Sequence, residues 1–339
     1  MSNWYLESGK NSNVVISSRI RFARNFKNIP FLNKMTKEDF EVVIQEFERI
    51  LPKLNYEFKI LRLKDMDDLT KLSLIEKNLI SPDFLLDKSD VRAIIINKDE
   101  NICIMLNEED HIRLQVFSAG LDIKNIYRLA EEIDEKICKN LDIAFSEKYG
   151  YLTSCPSNVG TGLRVSAMMH LPGLEHTGNI KKVLNIIEKF GMNIRGMYGE
   201  GTKALGNIYQ ISNKQTLGIS ENETVTNINE IIEKIIEQEK VARKLLEKDF
   251  IELEDEIMRS YGILKYCKKI SYNECIDLMS DVRLGNDLGI IDELNDKKIN
   301  ELALYTKPAI LQKRVGRNLN EIERDIQRAN LIKEIINQK

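Results

Sequence analysis

A chain of 339 residues with 42% hydrophobic and 30% charged side chains has an ordinary globular composition, with room for two or three domains and a sizeable core; this excludes a disordered or fibrous chain. Its formal net charge of −3 supplies no field for nucleic acid or an anionic membrane, so neither is expected as a direct partner. The polar start MSNWYLESGKNSN has no apolar h-region and no apolar run reaches bilayer length, which points to a cytoplasmic protein; Cys103, Cys138, Cys155, Cys267 and Cys275 form no CxxC pair and His111, His170 and His176 no ligand spacing, so neither a disulfide framework nor a protein metal site is expected.

Weak alternation over 13–22 predicts a strand, after which Thr36 and Asp39 cap a helix that runs to Leu51 and stops at Pro52. A second helix is expected over roughly 66–79, before the turn Ser81-Pro82-Asp83. VRAIIIN (91–97), ICIMLN (102–107) and HIRLQVFS (111–118) follow at short spacing and predict consecutive antiparallel strands. Helical spacing returns over 124–145, with Ile126, Leu129, Ile133, Ile137 and Leu141 on one stripe. Then LRVSAMMHL predicts a strand, NIKKVLNIIEKF a helix and GNIYQISNKQTLG a hairpin on the same sheet, which makes this half α+β. Beyond about 224, Ile231, Ile232, Ile235, Ala242, Leu245, Leu246, Leu253 and Ile257 keep helical spacing, and the rest is expected to be helical. The long helix suits a dimer interface or packing on its own domain. The expected division is an α+β domain over 1–245 and a helical domain over 246–339.

Between helix and strand lies YLTSCPSNVGTGLRVS (151–166). Gly160 and Gly162 allow backbone N–H groups close to an anion, with Ser157, Asn158 and Thr161 as small polar neighbours, although ordinary turns use the same residues. Arginine usage favours the anion. Arg19, Arg21, Arg113, Arg164 and Arg195 each lie in or beside an apolar, strand-like run, which suggests one shared polyanion held by bidentate guanidinium groups. Glu108, Glu109 and Asp110 on one side and Glu200 on the other flank the loop. Arginines would neutralise a nucleotide's phosphates during transfer, and a pair of carboxylates suits a guanidinium acceptor, which binds them in a fork and must lose a proton to attack. No GxxxxGK[ST] loop and no HRD or DFG motif is present.

In SSRIR, NEEDHIR, TSCPSNVGTGLR and RGMYGEG, in that order over about 14–220, the chain resembles the phosphagen (guanidino) kinase family, and within it the bacterial kinases of protein arginine. The resemblance implies an antiparallel β-sheet flanked by helices, followed by an all-helical C-terminal domain. It implies transfer of the γ-phosphoryl of ATP to arginine side chains of proteins, marking repressors or damaged proteins for a Clp chaperone-protease, with an activator protein and a homodimer. By the same resemblance Arg19, Arg21, Arg113, Arg164 and Arg195 hold the ATP phosphates, and Mg²⁺ travels with the nucleotide. Ser17, Ser18, Ile20, Asn78, Val165, Ser166, Ala167, Met168, Gly196, Met197, Tyr198, Gly199 and Glu200 surround it. Glu109 and Glu200 hold the acceptor guanidinium and assist its deprotonation; Cys155 matches the family's reactive cysteine and ranks below them.

Two departures shape the expectation. SSRIR begins almost at residue 17, without length for the helical N-terminal domain that closes over small substrates in other members, so a more open acceptor pocket is expected and a free guanidino metabolite is the less favoured acceptor. Asn78 stands where the family has a histidine near the base. RDIQRA (324–329) resembles the RDxxRA motif of the protein-arginine kinases: Arg324 and Arg328, at i and i+4, can offer a phosphate two forks, and Asp325 can accept from a guanidinium, which suits phosphoarginine as an allosteric ligand. Taken alone, the hexapeptide reads first as a solvated ion-pair face, and the binding reading is preferred only alongside the kinase motifs. A non-catalytic reader of phosphoarginine would predict loss of Glu109 or Glu200, and both are present.

Overall fold

The computed structural model describes residues 3–86, 89–196, 204–246 and 250–338. Strand β1 (Val15–Arg24) is the centre of the catalytic half, because Ile20 and Phe22 turn to one face and Arg19 and Arg21 to the other. Helix α1 (Lys37–Ile50) starts at Thr36, whose hydroxyl accepts from Asp39 N while the Asp39 carboxylate accepts from Thr36 N, the capping box the sequence predicts. Strand β2 (Phe58–Arg62) follows, then α2 (Asp68–Glu76), shorter than expected because the backbone leaves the helix at Asn78, which takes φ +61°. Strands β3 (Ala93–Asn97), β4 (Ile102–Leu106) and β5 (Ile112–Ala119) form the predicted antiparallel run. Helix α3 (Ile123–Asn140) buries Ile126, Ile133 and Ile137 of the predicted stripe, leaves Leu129 half-buried and ends before Leu141. A short hairpin, β6 (Phe145–Ser146) and β7 (Gly150–Tyr151), precedes β8 (Leu163–His170), α4 (Pro172–His176), α5 (Ile180–Lys189), β9 (Met192–Gly196) and β10 (Ile208–Asn213).

The strands form one eight-stranded sheet in the order β2-β3-β4-β5-β1-β8-β10-β9, with every pairing antiparallel. GNIYQISNKQTLG therefore gives one strand and not a hairpin; the partner of β10 on its far side is β9, and the run after Asn213 fastens a loop instead. One sheet face carries the main core, in which Ile20, Phe22, Leu114, Val116 and Val165 meet α1, α3 and the long helix that follows β10. On the other face a smaller cluster of Trp4, Leu79, Phe84, Ile94, Cys103, Met105 and Phe117 covers the β3–β5 part only. The remainder of that face stays polar.

Helix α6 (Glu221–Leu246) buries Ile228, Ile232, Ile235 and Ile236 in the main core. Each such side chain contributes about 1.5–3 kcal/mol, so this stripe belongs to its own domain, the second of the two uses open to it. Helices α7 (Phe250–Tyr266), α8 (Tyr272–Asp287), α9 (Asp296–Tyr305), α10 (Pro308–Val315) and α11 (Glu321–Asn337) build a separate core around Ile257, Leu264, Val282, Leu302 and Ile332. Several polar contacts bind this bundle to the sheet, among them two built on buried or half-buried charges. The Glu76 carboxylate accepts from Ala309 N (2.7 Å) and Ile310 N (2.8 Å) at the start of α10. Arg243 pairs with Glu239 and Asp287 and donates to Asn13 O and His170 O. Cys103 and Cys275 are core residues, whereas Cys138 and Cys267 are only partly buried. Among the described residues no helix is long and apolar enough to cross a membrane.

Candidate active site

Cross-strand register brings the predicted arginines together. Arg21 lies directly opposite Arg164 across β1 and β8, and Arg19 opposite Ser166. Arg113 on β5 faces Ala23, one pleat beyond Arg21, and Arg195 on β9 faces Gln210, which in turn faces Met168. All these positions share the polar face of the sheet. Burial, reinforced by Arg113 and Arg164, lowers the Arg19 guanidinium to about 10. Burial and the neighbouring arginines push Arg21 further down, and its Nε is buried without a partner. Arg164 is lowered by burial and then by Arg113 and Arg195, while Cys155 and Glu109 oppose the shift. Among the described residues only Glu108 forms an ion pair with any of these arginines, through Arg113. A polar floor with several guanidinium groups and one carboxylate is suited to a polyanion.

The acidic turn divides its labour. Burial alone would raise the Glu108 carboxyl, but Arg113, Ser81 Oγ–H (2.6 Å) and Glu109 N–H (2.8 Å) outweigh it and hold it below its ordinary value. Glu109 remains exposed and reaches the loop, where Asn158 Nδ2 donates to it at 3.3 Å. Asp110 is buried and accepts from Asn25 Nδ2 (2.6 Å) and Ser154 N (2.7 Å). The other end of Asn25 accepts from His111 N. His111 accepts from Phe26 N at Nδ1, so its proton sits on Nε2, directed to Pro30 O at 2.9 Å; burial lowers its pKa and keeps it neutral. Sequence reasoning passed over Asn25, and no spacing in the chain would have drawn attention to it. This bracket fixes the Cys155 loop beside Glu109. An open groove of about 480 Å³, bordered by Phe31, Leu86, Glu109 and Ser154, adjoins it.

The glycines of the loop serve the protein's own backbone, which corrects their expected role as a phosphate cradle. At Gly160 (φ +112°) a Cβ would collide with the Thr216 carbonyl, and at Gly162 (φ +63°) one would sit 2.7 Å from Ala23 O. Gly160 N donates to Tyr151 O and Thr161 N to Thr216 O, so these N–H groups are already committed. Thr216 Oγ1 lies 2.8 Å from Val159 O, and buried Arg24, paired with Asp134 at 2.6 Å, donates to Thr161 O. Held in this way, the loop presents Cys155, whose sulfur is 3.1 Å from Ser157 Oγ.

The structure separates the remaining predicted residues. Ser17, Arg19, Asn78, Ser166 and Met168 line one narrow cavity with Trp4, Phe117 and Gln210. Ser17, Asn78 and Met168 also border a cavity of about 140 Å³ whose far wall includes Tyr272, Met279, Leu304 and Lys307 of the helical bundle. Ile20, Val165 and Ala167 point into the core, and Ser18 donates to Gly120 O, so their side chains support the strands and do not face the cavity. Gly196 ends β9; Met197, Tyr198, Gly199 and Glu200 lie outside the described residues. In RDIQRA the expected pair of open forks is not formed. Arg328 is buried and donates to Asp325 (2.6 Å), Thr306 O and Ile270 O, which satisfies its charge internally, whereas Arg324 makes one bond, to Leu319 O.

A sheet face crowded with guanidinium groups, with an exposed carboxylate at its rim, is the chemistry expected where a polyanion and a cation meet. Sequence and structure comparisons agree. Residues 40–242 match the family described as ATP:guanido phosphotransferase, C-terminal catalytic domain, and residues 250–339 match the protein-arginine kinase McsB C-terminal domain. The chain is 46% identical to the protein-arginine kinase of Bacillus velezensis, over 98% of this chain and 93% of that one, and 43% identical to that of Clostridium acetobutylicum, over 98% and 99%. Among solved structures, the duplicated taurocyamine kinase of Schistosoma mansoni with bound transition-state-analogue components is similar at TM-score 0.61 and 30% identity, over 68% of this chain and 33% of that one. Lombricine kinase is similar at TM-score 0.60 and 27% identity, over 68% and 67%. The chain belongs to the protein-arginine kinase family of the ATP:guanido phosphotransferases.

Two outcomes test this geometry. Gly160→Ala forces a side chain into a left-handed, occupied position and should cost about 2–4 kcal/mol in urea unfolding; a loss below about 0.5 kcal/mol would show that the loop is not clamped. Glu108 has a lowered folded pKa, so its contribution is fully present above the unfolded value near 4.5 and is lost as pH falls through the folded value. The stability difference between wild type and Glu108→Gln should be constant above about pH 5.5 and shrink below 4.5. A difference that stays flat to pH 3 would contradict the assigned pairing.

Proposed function

We propose that this kinase transfers the γ-phosphoryl group of ATP to the guanidinium of arginine side chains in proteins, with Arg19, Arg21, Arg113, Arg164 and Arg195 holding the phosphates and Glu109 with Glu200 holding the acceptor. The observation that carries it is the register that sets half-buried Arg164 opposite Arg21, at the start of the strand that follows the Cys155 loop, while Asn158 of that same loop donates to Glu109 at 3.3 Å, so that one loop joins the arginine face to the acidic turn. A guanidinium nitrogen would surrender its proton to a rim carboxylate and attack phosphorus; the N–P bond forms as the bond to the ADP oxygen breaks, and the arginines neutralise the leaving charge. Mg²⁺ would arrive with the nucleotide, because Glu108, the carboxylate nearest the floor, is already engaged by Arg113, Ser81 and Glu109 N–H. The base would enter between Asn78 and Met168. The open groove beside Glu109 favours an arginine presented on a protein over a free guanidino metabolite. The intact arginine face speaks against a silent adaptor.

Residues 1–245 would form the phosphotransferase domain and 246–339 the helical one. Exposed Ile251, Met258 and Tyr266 on α7 and Ile322 on α11 give the helical domain a surface for a homodimer. Arg324, Asp325 and Arg328 would receive phosphoarginine: Arg324 would take the phosphate, and Asp325, kept in place by Arg328, would use its outer carboxylate oxygen for the incoming guanidinium. In this reading the enzyme works in the cytoplasm, with an activator protein, in stress response and protein quality control, and a Clp chaperone-protease recognises its products.

Incubation with ATP, a protein substrate and free arginine, followed by mass spectrometry, should find phosphoarginine on the protein alone. Glu109→Ala and Glu200→Ala should each lower turnover about a hundredfold or more with nucleotide affinity nearly intact, and Arg164→Lys should not restore ATP use, since an ammonium cannot form two parallel hydrogen bonds. Wild-type rates in either glutamate variant would remove the role assigned to it. Calorimetric titration of free phosphoarginine should show binding to wild type and none to Arg324→Ala with Asp325→Ala; equal binding by both would leave RDIQRA as an ion-pair face.

A further inference from the structure

Helices α5 and α6 leave a seam between them that the rest of the chain does not fill. Its apolar walls are Val183, Ile186 and Phe190 on one side and Ile231, Val241 and Leu245 on the other, around a groove of about 540 Å³. Phe190 is 67% exposed and Val241 53%, and Ile186 and Leu245 are nearly as open, so the patch is contiguous and not a scatter of single residues. Its charges have one sign. Lys182 and Lys234 line it, no carboxylate of the described residues does, and neither lysine forms an ion pair among the described residues.

We propose that this seam docks an amphipathic helix of a partner protein whose apolar stripe is bordered by carboxylates. The unpaired ammonium groups select the carboxylates. The walls select the helix: Ile186 with Phe190, and Lys234, Gln238, Val241 and Leu245 along α6, present ridges at helical spacing. An extended segment would need backbone partners, which two helices with their own bonds made do not supply, whereas a helix arrives with its backbone satisfied. Residues 231–245 rise about 21 Å at 1.5 Å per residue, the length of a partner helix of about four turns. Because α5 leads directly into β9, an occupant would bear on the strand that carries Arg195.

The probe is a fluorescein-labelled 15-residue helical peptide with leucines along one stripe and glutamates beside it, compared by fluorescence anisotropy with the same peptide carrying lysines in place of the glutamates. The full-length wild type should bind the glutamate peptide at least about tenfold more tightly than the lysine peptide. Lys182→Glu with Lys234→Glu should reverse that order, and Val241→Glu should abolish binding while the circular dichroism spectrum is unchanged. Equal affinity for the two peptides, no saturable binding of either, or an unreversed preference in the charge-swapped protein overturns the proposal. So does a fall in the sedimentation mass of the protein itself on Val241→Glu, which would mean that a second copy of this chain covers the seam.

Discussion

Arg21 and Arg164 stand face to face across two central strands, and the site is arranged around the cost of that juxtaposition. Like charges directly opposite on a sheet repel, and burial removes the water that would screen them. The fold tolerates the pair because it lies at the middle of an eight-stranded sheet whose other face is a continuous apolar core, so neither strand can move apart without breaking that core. A rigid surface that cannot relax away from its own charge is preorganised for an anion. It has already met the cost of bringing the cations together before the ligand arrives.

Rigidity of a different kind orders the acidic turn. Glu108 and Asp110 are tied down, one by Arg113 and the other by Asn25 and Ser154, and between them Glu109 is left exposed at a defined place, with Asn158 as its one side-chain donor among the described residues. The loop beyond is fastened to Thr216, Ala23 and Arg24, so Cys155 and Glu109 are set relative to Arg164 by contacts outside the loop itself. In-line transfer depends on such alignment, since an ångström of misplacement costs a large part of the rate.

Much of this was legible in the chain, and the rest was hidden for identifiable reasons. β1, β3, β4 and β5 announce themselves because apolar side chains must alternate or cluster where a sheet is buried, and Thr36 with Asp39 marks α1 because capping is local chemistry. β2 and β9 escaped notice because they are the two edge strands, where half-exposed side chains blur the pattern. The arginines stood out as charges inside strand-like runs, but their mutual register depends on pairings between distant segments. Gly160 and Gly162 looked like a phosphate cradle because a glycine needed for close approach looks the same whatever approaches. Arg328 looked solvated because an i, i+3 pair with Asp325 is common on surfaces; its burial follows from Thr306 and Ile270, residues well before it in the chain.

The Glu76 carboxylate at the start of α10 makes the two halves hard to separate. A phosphotransferase half cut free at the end of α6 would keep a half-buried acid with no N–H groups to receive, and would expose Ser17, Asn78 and Met168 where Tyr272, Met279 and Leu304 now stand. The helical half is thus an architectural wall as well as an appendage. A change of tilt in α10 would be transmitted through one carboxylate to Asn78, two residues along, and so to the volume of the cavity that Asn78 shares with Ser17 and Met168.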